Sequence, residues 1–218
     1  DLGADYLLAS LCITVSGRNL VSHLYRQKGT HLQTFDSDRI STSYNLFEGN
    51  WSRRNLTFNE PIMIGSNTSD KSIKVQNNGI SDIMNNYTFE IIANIQISSS
   101  TFKNGWRNIY HYGNTNGERA PALWMYHNDP WRYHFRIDTN KRQNDGFDFY
   151  IPAQFRKANT PLAIKTRITK MVHPDGIKIE HFVNGISAGV HTIANAIFKK
   201  YENRAMYIKD PWHGLDTY

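Results

Sequence analysis

A chain of 218 residues with 39% hydrophobic and 13% aromatic side chains carries enough apolar mass for one large domain, which excludes disorder through most of its length and points to a core built from Phe, Tyr and Trp. Its formal charge of +6 sits mainly in the second half, with ten Lys and Arg against nine Asp and Glu in residues 1–109 and fifteen against ten in 110–218. That excess suits an acidic partner such as a sulfated or sialylated glycan, nucleic acid or an acidic protein, or simply a solvated basic exterior; with no Lys or Arg run longer than two, a basic tail of the kind that wraps nucleic acid is excluded.

Residues 1–35 read as an N-terminal arm or extra strands. The apolar run LLASLCITV at 7–15 is too short to cross a bilayer and lacks the preceding basic residues of a secretory leader, so it reads as a buried strand. Cys12 within it is the single cysteine, which excludes an intrachain disulfide and a Cys-based zinc site and suits a small buried apolar side chain. A second run, LVSHLY at 20–25, follows the turn-like Ser16-Gly17-Arg18-Asn19; a free strand here would be able to augment the sheet of a neighbouring copy. The chain opens on Asp1 rather than Met, as a processed or recombinant form would.

From residue 36 to 78 the composition shifts to Ser, Thr, Asn and Asp, and the spacing predicts strands at 56–64 and 72–76. N-glycosylation acceptor patterns stand at Asn50, Asn55, Asn67 and Asn86. In a sequence this rich in Asn, Ser and Thr they are weak indicators of an exterior protein.

After residue 85 the strand pattern sharpens. Near-alternation over 87–97 places Phe89, Ile91, Ala93, Ile95 and Ile97 on one face. Further strands are predicted at 106–112, 121–126 and 131–138, the second opening on Pro121, where no ladder donor is needed. In 131–138 a period of two puts Trp131, Tyr133, Phe135 and Ile137 on one face and Arg132, His134, Arg136 and Asp138 on the other. Strands at 162–170, 176–183, 186–193 and 205–208 complete the pattern. Asn184-Gly185 marks a type I′ hairpin, and 194–203 reads as a helical turn or irregular loop. With no long amphipathic helical period and turn signals every 8 to 12 residues, the fold class is all-β, a two-sheet sandwich.

The motifs WRNIYHYGN, RAPALWMY, WRYHFRI, HFVNG and YIKDPW follow one another from residue 106 to 212. In this order they resemble the concanavalin A-like lectin/glucanase superfamily, in particular the laminin G-like jelly-roll domains of surface proteins and of structural proteins of large DNA viruses. The resemblance covers roughly residues 80–212. It implies an antiparallel jelly-roll sandwich over 36–218 that serves as a recognition or scaffold module, plausible settings being a virion, a filament or an extracellular coat.

Glycosidases of that superfamily place two carboxylates on one strand as Glu-x-Asp-x-Glu, because one must protonate the leaving group while the other attacks or activates water. No such pattern occurs; the nearest approach, Asp145-Gly-Phe-Asp148, reads as a loop with an odd spacing of three. The chain therefore reads as a non-enzyme, with a glycosidase or polysaccharide lyase the least favoured class. Calcium is common in such domains, and Asn144, Asp145 and Asp148 offer oxygen ligands close together, against the plainer reading of an Asn-Asp-Gly turn. His111, His127, His134, His181 and His191 fall on separate segments with no His-x-x-x-His spacing, which favours hydrogen-bonded sheet histidines over a metal site. Trp106, Trp124, Trp131 and Trp212 offer aromatic platforms against a sugar, although tryptophans in such strands mostly belong to the core; the candidate contact residues for an acidic ligand or partner are Arg132, His134 and Arg136, with Trp131 beside them. The partners expected are proteins in an assembly, copies of this chain among them, or a glycan; neither nucleic acid nor a membrane span is expected.

Overall fold

The computed structural model describes residues 6–16, 40–46, 51–64, 73–76, 88–97, 105–199, 201, 204–208 and 212, with the backbone alone before residue 90. Its strands are β1 (Tyr6–Ser16), β2 (Ile40–Leu46), β3 (Trp51–Ile64), β4 (Ile73–Gln76), β5 (Thr88–Ile97), β6 (Arg107–Tyr112) and β7 (Ala122–Tyr126). They continue with β8 (Asp129–Ile137), β9 (Asp145–Tyr150), β10 (Pro161–Val172), β11 (Asp175–Val183), β12 (Ile186–Ala194) and β13 (Ala205–Ile208). All the pairings are antiparallel. One sheet runs β12-β11-β10-β5-β1-β3-β2 and the other β4-β13-β6-β7-β8-β9.

The two sheets face each other across one core. On the larger sheet Ile91, Ala93, Ile95 and Ile97 of β5 and Leu162, Ile164, Thr166 and Ile168 of β10 point inward, none more than 2% exposed. These are the alternate positions that the period of two selects, and the register pairs Ile164 with Ala93 and Thr166 with Ile91. The smaller sheet answers with Leu123 and Met125 of β7, Tyr133, Phe135 and Ile137 of β8 and Phe149 of β9. Each such side chain contributes about 1.5–3 kcal/mol relative to an exposed position, so alternation alone is enough to hold two faces together. The chain thus forms the two-sheet antiparallel β-sandwich that its sequence predicts.

Polar groups lie deep in this interior as well, His181 and Thr166 among them. The His181 ring is fully buried, stacks on Phe149 with centroids 4.0 Å apart, and meets Thr166 Oγ1 through Nδ1 at 3.0 Å. Its Nε2 has no hydrogen-bond partner. Burial pushes the imidazole down to about 3, so it is neutral in the folded protein.

Turn chemistry follows the sequence at 184–185, where Asn184 and Gly185 have φ of 49° and 83°, as a type I′ turn requires. The Asn184 carboxamide ties this tip to the start of β10, accepting from Ala163 N at 2.7 Å and donating to Pro161 O at 3.1 Å. Two segments differ from the sequence reading. Asp145-Gly-Phe-Asp148, expected as a loop, belongs to β9. Asp and Gly are poor strand formers, but cross-strand pairing with β8 overrides local propensity. Gly146 there has φ +117°, and an added Cβ would stand 2.6 Å from Phe135 O. The Ser-, Thr- and Asn-rich stretch at 40–46, not foreseen as a strand, pairs with β3. The 194–203 region is irregular where described, held to residue 139 by a single bridge between Thr139 and Phe198.

β1, the first apolar run, lies between β3 and β5 and is paired along both edges. Cys12 stands in register with Asn55 and Ile92. Asn55 is therefore within β3, whereas Asn50, Asn67, Asn86 and the run at 20–25 lie outside the described residues. Among the described residues no helix is long and apolar enough to cross a membrane.

Candidate contact surface on the smaller sheet

Because Tyr133, Phe135 and Ile137 point into the core, the intervening Arg132, His134 and Arg136 must stand on the outward face of β8. The register pairs His134 with Asp148 of β9 on one side and with Trp124 of β7 on the other. Directly opposed residues of antiparallel strands share a face, so the three basic groups meet one carboxylate.

Asp148 is the hub. Its Oδ1 accepts from His134 Nδ1 at 2.7 Å and from Arg136 Nη2 at 2.9 Å, and its Oδ2 accepts from Arg132 Nε at 2.9 Å and Arg132 Nη2 at 2.5 Å. Four donors on two oxygens use the acceptor capacity of a carboxylate. Burial by itself would raise the Asp148 carboxyl, but the hydrogen bonds from His134 and Arg132 and the Arg136 charge outweigh it and hold the group well below the usual carboxylate range. Burial also dominates at His134 and pushes its imidazole below the ordinary value. The Asp148 hydrogen bond opposes this, while the Arg136 and Arg119 charges reinforce it. At neutral pH the cluster therefore holds two guanidinium charges against one carboxylate, an excess of one positive charge.

Aromatic rings frame this charge. The Arg132 guanidinium lies 3.7 Å from the Tyr126 ring centroid and 5.8 Å from that of Tyr150, which is 46% exposed. Trp106 packs against His134 at 4.8 Å and Tyr126 at 4.9 Å between centroids, and Arg119 lies over Trp124 at 4.8 Å. Such cation–π contacts contribute about 0.5–2 kcal/mol each according to their desolvation. Arg132 is the most open of the basic groups, 31% exposed at the side chain against 14–15% for His134 and Arg136.

Several sequence-predicted residues lie elsewhere. Trp131 belongs to the opposite face of β8 and packs against the core, so it cannot be the platform beside Arg132. Asp138, expected on the polar face, is fully buried. Its Oδ1 accepts from Asn144 N at 2.8 Å, and its Oδ2 from Tyr201 Oη at 2.6 Å and Arg119 N at 3.0 Å. It fastens three loops to the sandwich end rather than facing a ligand. The oxygen groups proposed for calcium do not converge. Asp145 is buried and engaged by Arg142 Nη2 at 2.9 Å and Gly146 N at 2.9 Å, while the Asn144 carboxamide accepts from Arg119. Asp148, three residues beyond Asp145 on the same strand, faces the other way, and Arg132, His134 and Arg136 fill its acceptor sites.

The histidines are equally dispersed. His111 Nε2 donates to Glu118 O at 2.5 Å, His127 packs on Trp106 and Tyr126, and His191 lies against Phe147. Among the described residues no three His, Cys, Asp or Glu side chains are grouped to hold a metal ion. Tyr126 and Tyr150 join the surface without having been singled out in the sequence, and Asp148, read there as a calcium ligand, joins it instead as the acceptor of the basic groups. The usable signal was the alternation in β7 and β9, once β9 is known to be a strand.

Fold and surface together define a β-sandwich that presents a cationic patch rimmed by aromatic rings on one sheet. No family model, curated protein or solved structure matches this chain.

Proposed function

We propose that this chain is a non-catalytic adhesive or structural surface module that takes an anionic group of its partner on the outward face of the smaller sheet. The observation carrying this reading is the convergence of Arg132, His134 and Arg136 on the single carboxylate of Asp148, which leaves positive charge in a partly desolvated, ring-framed setting. A carboxylated or sulfated glycan, or an acidic protein segment, fits that chemistry: the arginine edge supplies directed donors, and Tyr126 and Tyr150 supply flat apolar contact. A non-catalytic role is favoured because Asp138, Asp145 and Asp148 are each engaged by several internal donors, which leaves none of them poised as an acid or nucleophile opposite another. The resemblance to concanavalin A-like and laminin G-like domains supports the same role, and a repeated component of a virion, filament or extracellular coat is the setting it suits.

The test is binding to an array of carboxylated, sulfated and neutral glycans together with acidic peptides, at low and high salt. Retention on the acidic members, weakened by salt and reduced roughly tenfold or more by Arg132→Ala, supports the proposal. Equal retention on neutral members, or none on any, overturns it.

A further inference from the structure

β9 ends at Tyr150, and the chain passes through Ile151 and Pro152 into a single 3-10 turn, Ala153–Phe155, before Arg156 and Lys157. That turn brings Arg156 back to the end of the strand it has just left. Its guanidinium lies 5.7 Å from the Tyr150 ring centroid. Arg132, directly opposite Tyr150 in the register of β8 with β9, lies 5.8 Å from the same centroid. Rings and cations therefore alternate as Tyr126, Arg132, Tyr150 and Arg156, from β7 across β8 and β9 into the turn. Both guanidiniums are held on one side and open on the other. Arg156 Nε donates to Ile151 O at 2.6 Å, and Arg132 commits Nε and Nη2 to Asp148. Among the described residues nothing accepts from Arg132 Nη1 or from the terminal nitrogens of Arg156, and no carboxylate pairs with Arg156 or with the exposed Lys157. A guanidinium fixed in this way loses little freedom when an anion meets its open end.

We infer that Arg132, Tyr150 and Arg156 form one extended site for an acidic glycan that carries anionic groups on more than one sugar, each arginine taking one anion and the Tyr150 ring taking the apolar face of a sugar. The site includes the Arg132 contact proposed above and rests on it; Arg156 is its second arm. A sugar chain fits this row better than other polyanions do. Single-stranded nucleic acid stacks successive bases on successive open rings. Here the Tyr126 ring is already faced by Arg132 at 3.7 Å, which leaves Tyr150, 46% exposed, as the open ring of the row. An acidic protein segment binds through anchors in desolvated pockets, whereas the Arg132 side chain is 31% exposed and Arg156 faces solvent. A sugar chain requires one flat apolar surface with directed, charged donors beside it, and the row supplies both.

The experiment is calorimetric titration of the full chain, at one salt concentration, with a chondroitin sulfate tetrasaccharide, which has anionic groups on successive sugars, and with N-acetylgalactosamine carrying one sulfate. An oligothymidylate and a glutamate peptide of the same charge as the tetrasaccharide are titrated alongside. The result expected is tetrasaccharide binding about tenfold or more tighter than the monosulfated sugar, and a loss of about tenfold with Arg156→Gln that leaves the monosulfated sugar within about threefold. Tyr150→Leu should weaken the tetrasaccharide as well. Lys178→Gln removes the same charge from the outward face of the larger sheet and should leave its affinity unchanged. Equal losses with Arg156→Gln and Lys178→Gln would mean that net charge alone attracts the glycan, and would overturn the inference. So would tighter binding of the nucleotide or the peptide than of the tetrasaccharide. Loss with Arg132→Ala but none with Arg156→Gln overturns the second arm while the Arg132 contact stands, and no binding of either sugar by the wild type overturns both.

Discussion

Replacing His181 by Phe tests whether a neutral imidazole in the core sets the acid sensitivity of the fold. In the folded chain the ring is held near 3, whereas in the unfolded chain it takes up a proton around 6.5. Between those values the unfolded state binds the additional proton, so stability present above about pH 6.5 is lost as pH falls towards 3. Integrating that difference from near pH 8 to near pH 4 gives a loss of about 3 kcal/mol from this one side chain. Phe keeps an aromatic ring between Phe135, Phe147 and Phe149 and removes the unpartnered Nε2, while Thr166 loses its imidazole contact. Whatever fixed packing penalty results, about 1–3 kcal/mol if the larger ring is crowded, it is the same at every pH and cancels from the slope. Urea unfolding followed by tryptophan fluorescence at several pH values is the assay, and the quantity compared is the change in unfolding free energy with pH. The variant should lose about 3 kcal/mol less than the wild type on acidification, because the remaining histidines and carboxylates are common to both. Parallel curves would show that the His181 site is open to water or protons in the native state, and would refute the reasoning.

Asp138→Asn should lower stability by about 2–3 kcal/mol in urea unfolding, since an amide cannot accept from Asn144 N, Arg119 N and Tyr201 Oη as a carboxylate does. Tyr201→Phe should lose about 1 kcal/mol, and the double variant less than the sum. Asp148→Asn removes the counter-charge of Arg132 and Arg136. It should destabilise by about 1–3 kcal/mol near neutrality, with the difference beginning to shrink only as pH falls below about 4, where the unfolded carboxyl takes up its proton, and vanishing only once the depressed native carboxyl is protonated as well, and it should strengthen retention on acidic ligands. Gly146→Ala should lose more than about 2 kcal/mol in thermal unfolding, because its φ of +117° and the Phe135 carbonyl 2.6 Å from an added Cβ leave no room for adjustment. Gly117→Ala, whose nearest neighbour would be 4.0 Å away, should change little and serves as the control.

Strands whose side chains alternate between core and solvent were legible in the sequence. β5, β8 and β10 each show the period of two, and Asn184-Gly185 shows its turn chemistry directly. β9 was not legible because Asp-Gly-Phe-Asp has the composition of a turn, and only its pairing with β8 makes it a strand. The same non-local fact hid half of the contact surface. Arg132, His134 and Arg136 follow from the alternation in β8, but their common acceptor belongs to another strand, and no local spacing ties His134 to Asp148. Asp138 shows the converse. It shares the parity of those residues, yet lies one step past the end of β8, where Arg119 and Tyr201 close over it.

β13 has a consequence for how the chain is made. It sits between β4 and β6, pairing residues 205–208 with 73–76 on one side and 206–208 with 110–112 on the other. During synthesis β4 and β6 therefore emerge with a vacant place between them that stays empty until residue 208 has left the ribosome. β5 likewise waits for β10, whose Pro161 and Thr169 stand opposite Gln96 and Thr88. Neither sheet can be completed by the first half of the chain, so folding should take milliseconds to seconds rather than microseconds. An interrupted chain exposes two strand edges at once, and premature termination or proteolysis ahead of β13 is the route by which this protein would enter aggregates.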